Sequence, residues 1–356
     1  MDAWKPTDLG IGGVVNGEGA VCGLDFHRDG RYLVMSTRDT SVHLIDSLAG
    51  TEKKKLYTRA HGSGDVKFTH HEACVLLTSD QAKGNKNCEI RYLCMYDNRY
   101  LRFFKSHTAP VASISMSPQE DSFLSAAVDG SVCMWNLSAP GPMAKFQLPQ
   151  YISSPMVQYD GGGVIFGIMG TDERTKLHNI KLFDVRNYKE PFAEIVPQSS
   201  MMEAAITKAL NKSQLSLTKT GVSRLLQVAW TGFEFSPDGN HIMVNTVGEN
   251  IFILDGFKSS VEPVVIATRK NENNLTLGAC FSADGKHIIS GNEDNDIQIF
   301  DLAGDQKNQF TGHVSPVTFI KANPKYDVIA SGCVNTVLWI RSNGEASAGG
   351  GDAMDV

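Results

Sequence analysis

The chain lacks most of the features that announce a reaction centre or an address. No Cys-x-x-Cys pair has a second pair downstream, so a zinc site is not expected. The seven cysteines (Cys22, Cys74, Cys88, Cys94, Cys133, Cys280 and Cys333) are odd in number and scattered, mostly within strand-like runs. There free cysteine behaves as a small buried hydrophobe, and the compartment reads as reducing, hence cytosol or nucleus. No apolar run approaches the ~20 residues a membrane-spanning helix needs. The opening MDAWKPTDLGIGGVV has no charged segment followed by an apolar one and does not read as a secretory signal. There is no basic excess: 33 Lys and Arg against 39 Asp and Glu leave a net charge of −6. Direct nucleic-acid binding is therefore not expected, although a local basic patch stays open. Gly-x-Ser-x-Gly, Gly-x-x-x-x-Gly-Lys-Ser/Thr and His-Glu-x-x-His are all missing, and no cofactor, metal site or catalytic residue is assigned.

What is present is a repeat. An alternating apolar strand, a polar turn and a second strand recur in LDFHRDGRYLVMS (24–36), FEFSPDGNHIMVN (233–245) and ACFSADGKHIISG (279–291). Weaker copies begin at residues 66, 114, 157 and 320, giving seven in all. Each copy is followed by an apolar strand ending at residue 46, 97, 136, 184, 255, 301 or 340. Apart from one gap of 71, these ends lie 39 to 51 residues apart, around the ~40–45-residue period of WD-type propeller blades. A four-stranded sheet cannot bury both faces alone, whereas seven packed radially bury each face against a neighbour. The fold expected is all-β: a seven-bladed β-propeller over residues 1–340, with the Asp-Gly pairs supplying positive backbone angles at the turns. Closing the ring needs a strand from each end of the chain, and GGVV (12–15) is expected to join the blade ending at Trp339.

Two sets of residues repeat within this frame. His107, Ser125, Asp129 and Trp135 are spaced 18, 4 and 6 apart, and His313, Ser331, Asn335 and Trp339 are spaced 18, 4 and 4 apart. His, Ser and Asp together invite a hydrolase reading. A triad, however, needs an exposed, strained nucleophile, and these serines lie mid-strand in a set that appears twice. Both sets are read as buried hydrogen-bond networks, with Asn335 departing from the usual acid.

The segment with the 71-residue gap holds an insertion over 198–223. Within it, Met202, Ala205, Ile206, Ala209 and Leu210 share one helical face. It is either a solvated loop helix or a docking element for a partner. Residues 341–356 are small, polar and glycine-rich and are expected to be disordered.

The hairpin EIRYLCMYDNRYLRFFKSH (89–107) carries more arginine and tyrosine than blade geometry demands. Alternation puts Ile90, Tyr92, Cys94 and Tyr96 on one face and Arg91, Leu93 and Met95 on the other. It likewise groups Tyr100 with Arg102 and Phe104. These side chains either pack a blade rim or present Arg and Tyr to a protein or phosphopeptide.

The residues Ile90-Arg91-Tyr92-Leu93, Asp97-Asn98, Tyr100, Arg102, Phe103, Phe104 and His107 carry a more specific resemblance. So do VASISMSPQEDSFLSAAVDGSVCMWNL (111–137), KLFDVRNYKEPFAEI (181–195) and WTGFEFSPDG (230–239). Over residues 20 to 340 the chain resembles the WD-repeat subunit shared by COMPASS-type histone H3 lysine-4 methyltransferases and by transcription-termination assemblies built on PNUTS and protein phosphatase 1. The insertion, the tail and the long loop at 80–89 depart from that pattern. The resemblance implies a non-catalytic nuclear scaffold that holds a segment of a larger subunit and meets the phosphorylated C-terminal domain of RNA polymerase II. It puts the PNUTS–phosphatase assembly first. The SET-domain methyltransferase complex, or a generic adaptor role, is the alternative. Arg91, Tyr92, Arg99, Tyr100 and Arg102 are the residues expected to form an interaction rim.

Overall fold

The computed structural model describes residues 9–79, 88–148, 153, 155–197, 228–256, 260–261 and 265–341. The helix expected within 198–223, the tail after 341 and most of the 80–89 loop lie outside the described residues. Among the described residues the secondary structure is strands and turns, arranged as seven antiparallel sheets. Blade 1 runs Val21–Phe26, Tyr32–Thr37, Ser41–Asp46 and Thr51–Tyr57 from the axis outwards. Blade 2 is Val66–Phe68, Cys74–Leu77, Ile90–Cys94 and Arg99–Phe104, and blade 3 is Val111–Met116, Ser122–Ala127, Ser131–Asn136 and Pro142–Gln147. Blades 4, 5 and 6 begin at Met156–Tyr159, Trp230–Phe235 and Ala279–Phe281. In blade 4 a short strand, Ser260–Val261, adds in parallel to the outer edge.

Ring closure is made by both ends of the chain. Leu9–Asn16 pairs antiparallel with Asn335–Arg341, setting Val14 opposite Val337 and Leu9 opposite Arg341, and so forms the outer strand of blade 7. A second tie crosses the seam from blade 7 to blade 1: Asn323 Nδ2 donates to the Gly30 carbonyl at 2.6 Å. Gly30 (φ +78°), Gly130 (+77°), Gly239 (+73°) and Gly285 (+68°) all adopt the left-handed backbone expected of the Asp-Gly turns. Asn98 does the same in the blade 2 hairpin (φ +55°).

The core lies between blades. Leu76, Ile90 and Phe104 of blade 2 pack against Ile114, Phe123 and Trp135 of blade 3. Across the seam, Val328, Ala330 and Leu338 meet Leu24, Leu33 and Met35. Each sheet is thus apolar on both faces, which is why the inner strands read as nearly continuous hydrophobic runs.

One regularity was hidden from simple alternation. In blade 2 the register slips so that Tyr92 faces Arg102 while Leu93 faces Tyr100, leaving Leu101 unpaired. The same one-residue bulge leaves Lys53, Met143 and Lys307 unpaired on the outer strands of blades 1, 3 and 6. It moves Tyr100 and Arg102 to opposite faces, against the expectation that they share one.

Candidate functional site

Three places could carry function: the buried His–Ser–Trp sets, the mouth of the central channel and the blade 2 hairpin.

In blade 3, His107 Nε2 meets Ser125 Oγ at 2.6 Å, and Trp135 Nε1 donates to the same oxygen at 2.8 Å. His107 Nδ1 reaches Ser131 Oγ at 2.7 Å. Asp129 joins through Ser131, which donates to it at 2.5 Å, and also accepts from Thr108. Asp129 therefore acts one residue removed from the imidazole. Burial pulls the His107 pKa down to about 4, against the opposing pull of Asp129. Hydrogen bonds from Ser131 and Thr108 overcome the opposing effect of burial and hold the Asp129 carboxyl well below the usual range. Ser125 and Trp135 are fully buried, so the serine is closed to a substrate.

Blade 7 repeats the first half of this arrangement. His313 Nε2 meets Ser331 Oγ at 2.7 Å, and Trp339 Nε1 donates to it at 2.7 Å. The second imidazole nitrogen faces Cys333 Sγ at 3.1 Å, so a thiol occupies the place taken by Ser131 in blade 3. Burial would raise the Cys333 pKa, but hydrogen bonds from His313, Ser315 and the Asn335 backbone outweigh it and hold the thiol at about 6. Asn335 contributes its backbone: its carbonyl accepts from Cys333 N at 2.9 Å.

Blade 1 holds an array that residue spacing did not reveal. Ser41 Oγ meets His43 Nε2 at 2.7 Å, and His43 Nδ1 meets Glu52 Oε2 at 2.8 Å. The connectivity is that of a hydrolase triad. Ser41 and His43 are nevertheless wholly buried, and Ser41 Oγ already donates to Asp39 at 2.7 Å. With no approach for a substrate, the array acts as an internal brace.

The channel is organised by the turn after each inner strand. His27, Thr69, Ser117, Asp160, Ser236, Ser282 and Asn323 each donate their backbone N–H to the carbonyl five residues on. Two residues before each lie Asp25, Lys67, Ser115, Gln158, Glu234, Cys280 and Lys321, one per blade at the same level. Lys321 pairs with Glu234 at 3.2 Å across blade 6, and Lys67 pairs with Asp65 at 3.1 Å. Asp25 accepts from Phe68 N at 2.8 Å and Ser115 accepts from Tyr159 N at 3.0 Å, so ring residues also stitch each blade to the next. Burial raises the Asp25 pKa against the pull of Lys67, and the Glu234 carboxylate raises that of Lys321. A cavity of about 370 Å³ opens at this end, lined by Asp25, Lys67, Gln158, Glu234 and Lys321 among others. Both lysines already face carboxylates, an arrangement that holds strands together.

The hairpin residues do not converge. Arg91 is the clearest correction: its side chain is wholly buried and cannot belong to an outer rim. Its Nη2 donates to the carbonyls of Gly62 at 2.9 Å and Thr78 at 2.6 Å. Burial lowers its pKa, while the neighbouring Tyr100 hydroxyl counteracts this. The physical reason is the missing hydroxyl: blade 2 has Leu77 where blade 3 has Ser125, so no serine is there to hold a loop histidine, and the guanidinium reaches the loop carbonyl of Gly62 instead. Tyr92 is half-buried on the blade 3 side, Tyr100 packs against His61 and Phe103 on the blade 1 side, and Arg102 donates to the Ser138 carbonyl at 2.8 Å. Arg99 alone of the five is well exposed, 3.4 Å from Asp97. Tyr96, 82% exposed beside Lys54, is a surface feature that was not singled out as a site.

Seven radial sheets, histidine–serine–tryptophan ties and a channel of mutually paired charges define a WD-repeat β-propeller. The profile "WD domain, G-beta repeat" matches residues 12–46, 98–136 and 272–301. WD repeat-containing protein 82 of Drosophila melanogaster is 30% identical over 325 residues, covering 90% of each chain. The chain belongs to the WD repeat-containing protein 82 family. Two further relatives are the Set1 complex component swd2 of Schizosaccharomyces pombe and the COMPASS component SWD2 of Saccharomyces cerevisiae. The first is 26% identical, covering 80% of this chain and 71% of the relative. The second is 25% identical, covering 88% of each.

Proposed function

We propose that this chain is a non-catalytic, nuclear scaffold subunit of a COMPASS-type histone H3 lysine-4 methyltransferase complex. The reading rests on similarity that runs through nearly the whole propeller to relatives named for Set1 and COMPASS. The buried state of the Ser41, Ser125 and Ser331 hydroxyls agrees with a scaffold role. This reverses the order that the sequence resemblance suggested, in which the PNUTS–phosphatase assembly stood first. No observation on the propeller favours that assembly.

A rigid disc with paired charges in its channel offers partners its turns and rims. Arg99 is the residue of the expected rim that remains well exposed, and Tyr96, outside that rim, is exposed on the same hairpin. The test is affinity purification of the tagged full chain followed by mass spectrometry. A SET-domain methyltransferase is the expected partner. A phosphatase catalytic subunit without a methyltransferase would overturn the assignment and restore the termination assembly. Arg99→Glu tests the rim separately: unchanged partner recovery removes Arg99 from the interface.

A further inference from the structure

Two of the free cysteines stand opposite each other on neighbouring strands. Cys74 and Cys94 are register partners in blade 2, and both thiols are reduced. At the adjacent position, Met95 N donates to the Ala73 carbonyl at 2.7 Å. Hydrogen-bonded and non-hydrogen-bonded pairs alternate along an antiparallel ladder, so Cys74 and Cys94 form the non-hydrogen-bonded kind. Such pairs bring Cα atoms to about 4.5 Å, inside the ~4.4–6.8 Å range that a disulfide spans. Both side chains point to the face that carries Leu76 and Ile90, and the Cys94 thiol lies against that of Cys74. Their accessibility differs: Cys74 is 5% exposed, whereas Cys94 is half-buried. No other two cysteines occupy paired positions in the strand registers given for the described residues.

We infer that Cys74 and Cys94 form a dithiol modification site, closed by a peroxide into a cross-strand disulfide and reopened by a dithiol reductant. The accessible Cys94 reacts first. Its thiolate attacks one peroxide oxygen, the O–O bond breaks, and the departing hydroxide leaves as water after taking a proton, giving Cys94 sulfenic acid. The Cys74 sulfur then displaces the sulfenic oxygen. An S–S bond forms, the S–O bond breaks, and the hydroxyl leaves with the Cys74 proton as a second water. The two sulfurs together lose two electrons, and the peroxide gains them. Burial raises the Cys74 pKa to about 11, so it serves as the resolving partner and not as the first nucleophile. The bond would staple the second and third strands of blade 2 beside Arg99, which pairs with Cys94 from the other side.

The experiment treats the full chain with hydrogen peroxide, blocks remaining thiols by alkylation and reads intact mass and a non-reducing peptide map. The expected result is a loss of about 2 Da, for the two hydrogens removed, with one cross-link between the Cys74 and Cys94 peptides. Dithiothreitol should reverse it, and the oxidised chain should melt a few degrees higher. The inference fails if Cys94 is oxidised or blocked while Cys74 remains free, or if the mass loss arises from another pair. Cys94→Ser should abolish both the mass loss and the melting shift. Its circular dichroism shows whether it folds, and the wild-type peptide map decides the question alone if it does not.

Discussion

Blades 2 and 3 face the same mechanical problem and solve it with different chemistry. The loop entering each blade must be fastened to the sheet it leads into. Blade 3 uses a neutral imidazole held between Ser125 and Ser131 under Trp135. Blade 2 sends Arg91 upward from its third strand to two backbone carbonyls. Blade 6 offers an intermediate case. Arg269 sits in the incoming loop, as the histidine does, and donates to Ser290 Oγ at 2.9 Å and to the Thr246 carbonyl at 2.7 Å. Burial brings its pKa down to about 10, which still leaves it charged. The fold therefore requires a donor at this place, not a particular residue. A buried cation meets that requirement at a desolvation cost that its carbonyl partners offset.

This comparison can be broken most severely at Arg91. Arg91→Ala should cost about 3–5 kcal/mol in urea unfolding, because it opens a cavity and removes the two hydrogen bonds that tie the Gly62 and Thr78 carbonyls to the third strand. Arg91→Met, which refills the volume, should lose less. A loss under about 1 kcal/mol for the alanine variant would show that the guanidinium is not the tie.

The second test is acid. The folded His107 pKa, about 4, lies below the ordinary 6.5, so the unfolded chain binds a proton that the folded chain refuses between those values. The contribution of neutral His107 is complete above pH 6.5 and declines as pH falls toward 4, by about 3 kcal/mol at most. His107→Gln should flatten that part of the stability–pH curve, whereas Arg91 variants should leave it in place. An unchanged slope in the glutamine variant would argue against a buried neutral imidazole.

Blade 7 provides a smaller effect of the same sign in a higher pH window. Cys333 has its pKa depressed from 9.0 to about 6, so its ionised form stabilises the fold fully above pH 9, and that contribution is lost as pH falls through 6. Cys333→Ala should cost about 1–2 kcal/mol at pH 8, and the difference should narrow at pH 6. A pH-independent difference would mean that the thiol acts by packing alone. Arg99→Glu should change stability least, by less than about 0.5 kcal/mol, since the side chain is exposed and its Asp97 pair is screened. A larger loss would make Arg99 structural, as Arg91 is.

The repeat was legible because its signals are local. The alternation, the Asp-Gly turns and the eighteen-residue spacing from His107 to Ser125 and from His313 to Ser331 all lie within a few dozen residues. The closing role of residues 12–15 followed from counting strands. What stayed hidden depends on volume and register. Alternation puts Arg91 on a face but cannot say that the Gly62 and Thr78 carbonyls lie within its reach there. The bulge at Leu101 has no residue signature, so Tyr100 and Arg102 were grouped on one face that they do not share. The brace of Ser41, His43 and Glu52 links two strands through a second bulge at Lys53 and was equally invisible. The expected interaction rim was the least legible feature, because one hairpin holds both an interior brace and an outer surface.

The pairing of Leu9 with Arg341 brings the first and last described residues to the same edge of blade 7. A short linker joining them would let the polypeptide be opened at another blade's turn, and the circular permutant would retain every sheet. Groups attached directly at these two residues would lie side by side on the same flank. The opposite flank, around blades 3 and 4, would stay clear for an immobilised bait.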